Sequence, residues 1–198
     1  MKGTILVTGG TGYIGSHTTV ELIQAGYQVV SIDNLSNSNI EVLDGIEAIT
    51  GIRPIFYEAD CNDEAAIERI FTAHPSIQGV IHFAASKAVG ESVQKPLLYY
   101  KNNLLSLIVL LEAMQRHSTK GIVFSSSCTV YGQPEILPVT EEAPIQVALS
   151  PYGNTKQINE EILNDVVYAG VPYKVIRLRY FNPIGDRKST RLNSSHSA

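Results

Sequence analysis

The stretch Thr8-Gly9-Gly10-Thr11-Gly12-Tyr13-Ile14-Gly15-Ser16 constrains this chain more than any other. It follows the apolar run Thr4-Ile5-Leu6-Val7 and opens a segment of helical character, Tyr13 to Gln24. A strand, a glycine-rich turn and a helix in that order make a cradle for phosphate. Glycine lets backbone come close to a pyrophosphate, and the helix start offers unpaired N–H groups and a positive dipole end. The glycines satisfy both Gly-x-Gly-x-x-Gly (Gly10, Gly12, Gly15) and Gly-x-x-Gly-x-x-Gly (Gly9, Gly12, Gly15). Tight turns also use glycine, so the motif draws its force from context. A second apolar run, Gln28-Val29-Val30-Ser31-Ile32, ends at Asp33, near the distance where an acid holds the adenosine ribose of a dinucleotide. A carboxylate there accepts from two ribose hydroxyls and repels a 2′-phosphate, and the first Arg or Lys after it is Arg53. NAD is therefore favoured over NADP. The plainer alternative is that Asp33-Asn34 starts a turn.

Strand and helix patterns alternate along almost the whole chain. Candidate strands are Ile5–Thr8, Gln28–Asp33, Pro54–Glu58, Gly79–Phe83, Gly121–Ser126 and Tyr173–Arg179; amphipathic segments are Tyr13–Gln24, Glu64–His74, Leu97–His117 and Tyr152–Tyr168, with a more ambiguous helix near Ile40–Ile49. Short continuous apolar runs suit strands buried on both faces of a parallel sheet. The expected fold is α/β, a doubly wound parallel sheet of Rossmann type, with ligand at the carboxyl ends of the strands.

Composition fits a soluble, enzyme-like domain. The 198 residues are 44% hydrophobic and 17% charged with a net charge of −4, which gives no reason to invoke nucleic acid or an anionic membrane. No signal-peptide pattern or membrane-length apolar run stands out, and the cytoplasm is the expected compartment. Cys61 and Cys128 have neither metal-ligand nor disulfide spacing, the five histidines are scattered, and no metal is expected. His82 reads as a satisfied core residue at a strand end. Residues 186–198 are polar and aperiodic and read as disordered. Asp186 to His196 resembles the in-frame translation of a sequencing-library adaptor, which implies a chain cut from a longer protein near Gly185 and a 1–185 dinucleotide-binding domain. A natural disordered tail is the alternative.

The chemistry lies further along. Val123-Phe124-Ser125-Ser126-Ser127 is a strand running into hydroxyl residues, at the end where ligands sit in this fold. Ser150-Pro151-Tyr152-Gly153-Asn154-Thr155-Lys156 begins a helix, with Ser150 as cap and Pro151 in its first turn. Tyr152 and Lys156 then share one helical face. A free tyrosine titrates near 10, too high for an efficient base at neutral pH. An ammonium one turn away and a cationic nicotinamide would lower that value, while Ser127 could orient the same substrate oxygen.

On these residues the chain resembles the UDP-glucose 4-epimerases (UDP-galactose 4-epimerases) of the extended short-chain dehydrogenase/reductase superfamily, from Met1 to about Gly185. The more specific matches are Asp33-Asn34-Leu35-Ser36-Asn37-Ser38, Lys87 to Leu97, Ser125 to Gly132 and Arg179-Tyr180-Phe181-Asn182-Pro183-Ile184-Gly185. The resemblance implies an NAD site built from Gly9, Gly12, Tyr13, Ile14 and Gly15 at the turn and Asp33, Asn34, Leu35, Ser36, Asn37 and Ser38 at the ribose. Asp60 and Cys61 would lie beside the adenine. Phe83, Ala84, Ala85, Ser86, Lys87 and Asn102 would line the pyrophosphate and nicotinamide side, with Phe181 near the nicotinamide. It implies Tyr152 as base and Lys156 as its partner, both also binding the NAD and Tyr152 also the substrate, Ser127 as the hydroxyl that helps hold the sugar, and Asn182 at the substrate's phosphate side. One departure is Asn102-Asn103-Leu104-Leu105-Ser106-Leu107, where the family more often has a small, glycine-containing turn of helix; bulk there is expected to crowd helix–sheet packing. Cys128 replaces a commoner small residue.

The implied reaction interconverts UDP-glucose and UDP-galactose through a 4-keto sugar, with NAD as the reversible hydride acceptor and no net redox change. A homodimer is implied, with Leu97–His117 and Tyr152–Tyr168 as a four-helix face. A 4,6-dehydratase needs a carboxylic acid to protonate its leaving hydroxyl, and Ser127 is followed by Cys128-Thr129-Val130 with no acid. UDP-glucuronate decarboxylases fit the Lys87–Leu97 match less well. A silent NAD-sensing or scaffolding protein would have little need for Ser127, Tyr152 and Lys156 together.

Overall fold

Side chains alternate across each buried strand, and in this chain the alternation divides the core in two. The computed structural model describes residues 2–183. In β1 (Thr4–Thr8), Leu6 packs with Val30 and Ile32 of β2 (Gln28–Asp33) on one face of the sheet, while Val7 packs with Val29 on the other. The larger face is covered by α3 (Glu64–Ala73), α5 (Pro96–Arg116) and α6 (Pro151–Tyr168), which bring Ile67, Ile70, Phe71, Leu107, Leu110, Met114 and Leu163 onto it. The smaller is covered by α1 (Tyr13–Gln24) and α2 (Val42–Thr50) through Ile23, Leu43 and Ile46.

The remaining strands are β3 (Ile55–Glu58), β4 (Ile77–His82), β5 (Gly121–Ser127) and β6 (Lys174–Tyr180). Their order is β3-β2-β1-β4-β5-β6, and every neighbouring pair is parallel. This is the doubly wound sheet that the sequence implies. The order reverses between β1 and β4, so the crevice above their carboxyl ends is where a dinucleotide binds in such folds. The strand boundaries fall within two residues of the sequence reading.

Two elements were not in that reading. A short helix, α4 (Val89–Gln94), precedes α5, and a 3-10 turn, Cys128–Tyr131, follows β5. The expected crowding at Asn102–Leu107 does not occur: α5 runs unbroken through it, Ser106 and Leu107 are fully buried, and Leu105 packs on the core. The bulk is taken up in the core and by hydrogen bonding, with Leu107 buried against the sheet and the Asn103 side chain bonded to Ser86 and Thr155. The adaptor-like tail and the end of the proposed 1–185 domain lie outside the described residues. Among the described residues no helix is long and apolar enough to cross a membrane.

Candidate active site

The glycine turn is folded tightly enough to exclude side chains. Gly9 adopts φ +67°, and a Cβ on Gly15 would stand 2.1 Å from the Gly9 carbonyl oxygen. Gly9 and Gly10 both donate to Ile32 O, at 2.8 and 3.2 Å, which seats the turn on β2. Gly12, at the N-cap of α1, has no side-chain cap, so the first-turn N–H groups of Tyr13, Ile14 and Gly15 are available to a ligand.

Asp33 first organises its own loop. Its Oδ1 accepts from Leu35 N–H and the Ser38 hydroxyl, both at 3.0 Å, and its Oδ2 accepts from Thr11 N–H at 3.2 Å. Of the four or so lone-pair positions on a carboxylate, three are met by the chain itself. Asn34 folds the same loop by accepting from Ser36 N–H (3.1 Å) and reaches Asp60 Oδ2 with its amide at 3.3 Å; Asn37 lies between these anchors. Arg53 is paired with Asp44 (2.6 Å) and Glu47 (3.0 Å), both on α2. Cys61 is buried; burial, reinforced by Asp60 and Asp33, pushes its thiol up to about 12 and keeps it protonated.

Across the crevice, Phe83 N–H donates to Thr8 O and Ala84 N–H to Thr8 Oγ1, each at 3.2 Å. The loop Phe83-Ala84-Ala85-Ser86-Lys87 is thereby hung from β1. Its far end is held by Asn103, which accepts from Ser86 N–H at 2.8 Å, and by the Tyr99 hydroxyl, which accepts from Ala88 N–H at 3.1 Å. Asn102 donates to Ser86 Oγ at 3.1 Å. Beneath lies His82, 2% exposed with Nδ1 2.8 Å from Thr8 Oγ1; burial drives its pKa down to about 3, so it is a neutral core residue.

The candidate catalytic residues come together from β5 and α6. Ser150 Oγ accepts from Gly153 N–H at 3.1 Å and Pro151 fills the first turn, so α6 begins where the sequence signals. Lys156 is buried and donates to Ser125 O at 2.7 Å, with its Nζ 4.9 Å from the Phe124 ring centroid and 5.8 Å from that of Tyr152. Ser127 Oγ accepts from Thr129 N–H at 3.2 Å, capping the 3-10 turn. The expected lowering of the Tyr152 pKa is not produced by the folded chain alone: burial raises it, with the Ser127 hydroxyl acting the other way. Burial also brings Lys156 down to about 8. Phe181 and Asn182 follow β6 directly and are exposed.

Sequence reasoning missed the residues that fasten this group. Glu160, 1% exposed and one turn beyond Lys156, accepts from the Ser126 hydroxyl at 2.5 Å and from Arg179 Nε and Nη2 at 3.0 and 2.7 Å. Arg179 also donates to the Tyr131 hydroxyl at 3.0 Å. One carboxylate thus joins α6, β5 and β6, one residue before Ser127 on β5 and one turn beyond Lys156 on α6. The spacing Tyr152-Lys156-Glu160 on one face was the available signal.

The sheet order, the glycine cradle and the Ser127–Tyr152–Lys156 grouping invite comparison with known proteins. The model of the NAD dependent epimerase/dehydratase family matches residues 5–197. The chain belongs to that family. It is 54% identical over 188 residues to a UDP-glucose 4-epimerase of Bacillus subtilis, covering 95% of this chain and 55% of that protein. Among solved structures it resembles the UDP-glucose 4-epimerase of Bifidobacterium longum in complex with NAD+ and UDP, with a TM-score of 0.90 and 51% identity over 92% of this chain and 54% of that one. The Stenotrophomonas maltophila UDP-glucose 4-epimerase, with bound NAD and formylated UDP-arabinopyranose, gives a TM-score of 0.89 and 45% identity over 93% of this chain and 55% of that one. This member of the family therefore spans about half the length of the relatives it matches.

Proposed function

We propose that this chain is the NAD-binding half of a UDP-glucose 4-epimerase, which interconverts UDP-glucose and UDP-galactose. The observation that carries the reading is the convergence of Ser127, Tyr152 and a buried Lys156 at the carboxyl end of β5, in a parallel sheet whose β1 ends, two strands away, in a glycine cradle that excludes side chains. The cradle suits a dinucleotide: Gly9 and Gly15 leave no room for a Cβ, the first turn of α1 has no side-chain cap, and Asp33 retains acceptor capacity. Gly9, Gly12, Tyr13, Ile14, Gly15 and the Asp33–Ser38 loop would hold the adenosine and pyrophosphate. Asp60 and Cys61 would flank the adenine; Phe83 to Lys87, Asn102 and Phe181 would face the nicotinamide end.

When bound, NAD supplies a hydride acceptor and a positive charge on its nicotinamide ring. Tyr152 takes the proton of the sugar 4-hydroxyl. Its phenol titrates too high for that task in the folded chain alone, so the base is switched on by cationic neighbours in the loaded site. Lys156, near 8, is mostly protonated at neutral pH; it fixes one proton on Ser125 O and keeps two donors for ribose and phenolate oxygens. Ser127 orients the same sugar oxygen, and Asn182 would meet the phosphate side. No acid follows Ser127 in the sequence Cys128-Thr129-Val130, which favours epimerisation over dehydration, since expelling a hydroxyl requires a positioned acid.

The same reading makes residues 1–185 one domain of a longer cytoplasmic protein that pairs as a homodimer through α5 and α6. Leu97 and Ile108 are exposed on α5, at 81% and 39%, as apolar contacts for such a face. The test is an assay of UDP-galactose conversion by the protein expressed from its uninterrupted gene. Tyr152→Phe is expected to lower turnover by about a hundred- to ten-thousandfold while leaving NAD affinity largely intact. Near-normal turnover in that variant would show that another group removes the proton.

A further inference from the structure

Asn62 belongs to none of the motifs above, yet it joins the loop after β3 to α5. An ionised carboxylate only accepts, so Asp60 must be met by donors. Asn62 gives Asp60 Oδ1 two of them, its backbone N–H and its Nδ2, both at 2.8 Å. The amide of Asn62 is oriented by that requirement, and the same Nδ2 reaches Asn102 Oδ1 at 2.8 Å. Asn102 must then turn its oxygen to Asn62 and its NH2 to Ser86 Oγ (3.1 Å) and Asn103 Oδ1 (3.2 Å). Asn103 passes the polarity on by donating to Ser86 O (3.0 Å) and Thr155 Oγ1 (3.1 Å), and Thr155 donates to Tyr152 O at 2.7 Å. Asn103 is fixed by the backbone of Ser86, which donates to its Oδ1 and accepts from its Nδ2, so Asn102 is held in one sense from both sides, by Asn62 and by Asn103.

An amide is nearly symmetric in shape, so packing alone does not choose which way Asn102 faces. Its partners choose: Asn62 calls for its oxygen, and Asn103 Oδ1 calls for its NH2.

We infer that Asn62 is a positioning residue for the dinucleotide, acting through Asn102. Its side chain holds the Asn102 oxygen away from the pyrophosphate side and leaves the NH2 for that side, while its backbone N–H, which a side-chain substitution keeps, holds Asp60 Oδ1. The inference rests on the cofactor assignment proposed above.

Calorimetric titration of the protein expressed from its uninterrupted gene, with NAD and separately with AMP, tests it. Asn62→Ala is expected to weaken NAD about tenfold and to leave AMP, which lacks the pyrophosphate and nicotinamide, within twofold. The double variant with Asn102→Ala should bind NAD no more weakly than Asn102→Ala alone, since both changes remove the same arrangement. A thermal midpoint for each variant separates these effects from loss of fold. Unchanged NAD affinity in Asn62→Ala, equal weakening of NAD and AMP, or additive losses in the double variant would overturn the inference. Failure of the unsubstituted protein to bind NAD would overturn the cofactor assignment, and the inference with it.

Discussion

At the scale of single residues, burial decides what spacing leaves open. Tyr152 and Lys156 are legible as a pair because four residues separate them on a helix, but the direction of their pKa values is not. Desolvation raises the phenol and lowers the ammonium, and desolvation depends on strands distant in sequence. Asp33 was equally legible as an acid at a strand end. What the sequence does not reveal is that Thr11, Leu35 and Ser38 already engage it. Asp33→Ala should therefore loosen the Asp33–Ser38 loop as well as erode the preference for NAD over NADP; competitive titration of the two dinucleotides checks this, and equal or tighter NADP binding by the unsubstituted protein would refute it. His82 makes a pH prediction. Its folded pKa is near 3 against 6.5 for a free histidine, so the unfolded chain takes up a proton that the folded chain refuses. The stabilisation is complete above about pH 6.5 and is lost as pH falls toward 3. Between pH 7 and pH 5 this group should cost about 2 kcal/mol of stability. Urea midpoints of the unsubstituted chain should fall across that range more steeply than those of His82→Gln.

Among the secondary-structure elements, those with strong periodicity were legible and those fixed by tertiary contacts were not. The six strands follow from short apolar runs, and α1 and α6 from their start signals. The α4 helix is six residues long and contains Gly90, so propensity does not announce it. It is fastened by Tyr99, whose hydroxyl donates to Glu91 Oε2 at 2.9 Å. Glu160 looks in sequence like an acid on a solvated helix face; only the return of Arg179 on β6 shows that it is buried. Breaking that pair from one side leaves an uncompensated buried charge. Arg179→Met should lower stability by about 3–5 kcal/mol, read as a fall in the chemical-denaturation midpoint. A change below about 1 kcal/mol would show that Ser126 and water suffice for Glu160.

At the scale of the whole molecule, the described residues form a six-stranded parallel sheet with β6 at one edge. Ile176, Leu178 and Phe181 are 56%, 37% and 57% exposed at that edge. Residues 1–185 are proposed to hold the cofactor and the groups that move the proton, while the grip on the UDP-sugar is proposed to come from sequence that the relatives possess beyond the half matched here. That grip matters because reacting atoms must be kept within roughly 3–3.5 Å for efficient transfer, and a sugar without its anchor dissociates after oxidation. The most direct measurement is UDP-galactose turnover per molecule, determined side by side for the 198-residue chain and for the protein expressed from its uninterrupted gene. Robust interconversion with UDP-glucose is expected in the longer protein, and little or none in the 198-residue chain. Comparable turnover in the two, or none in the longer protein, would contradict it.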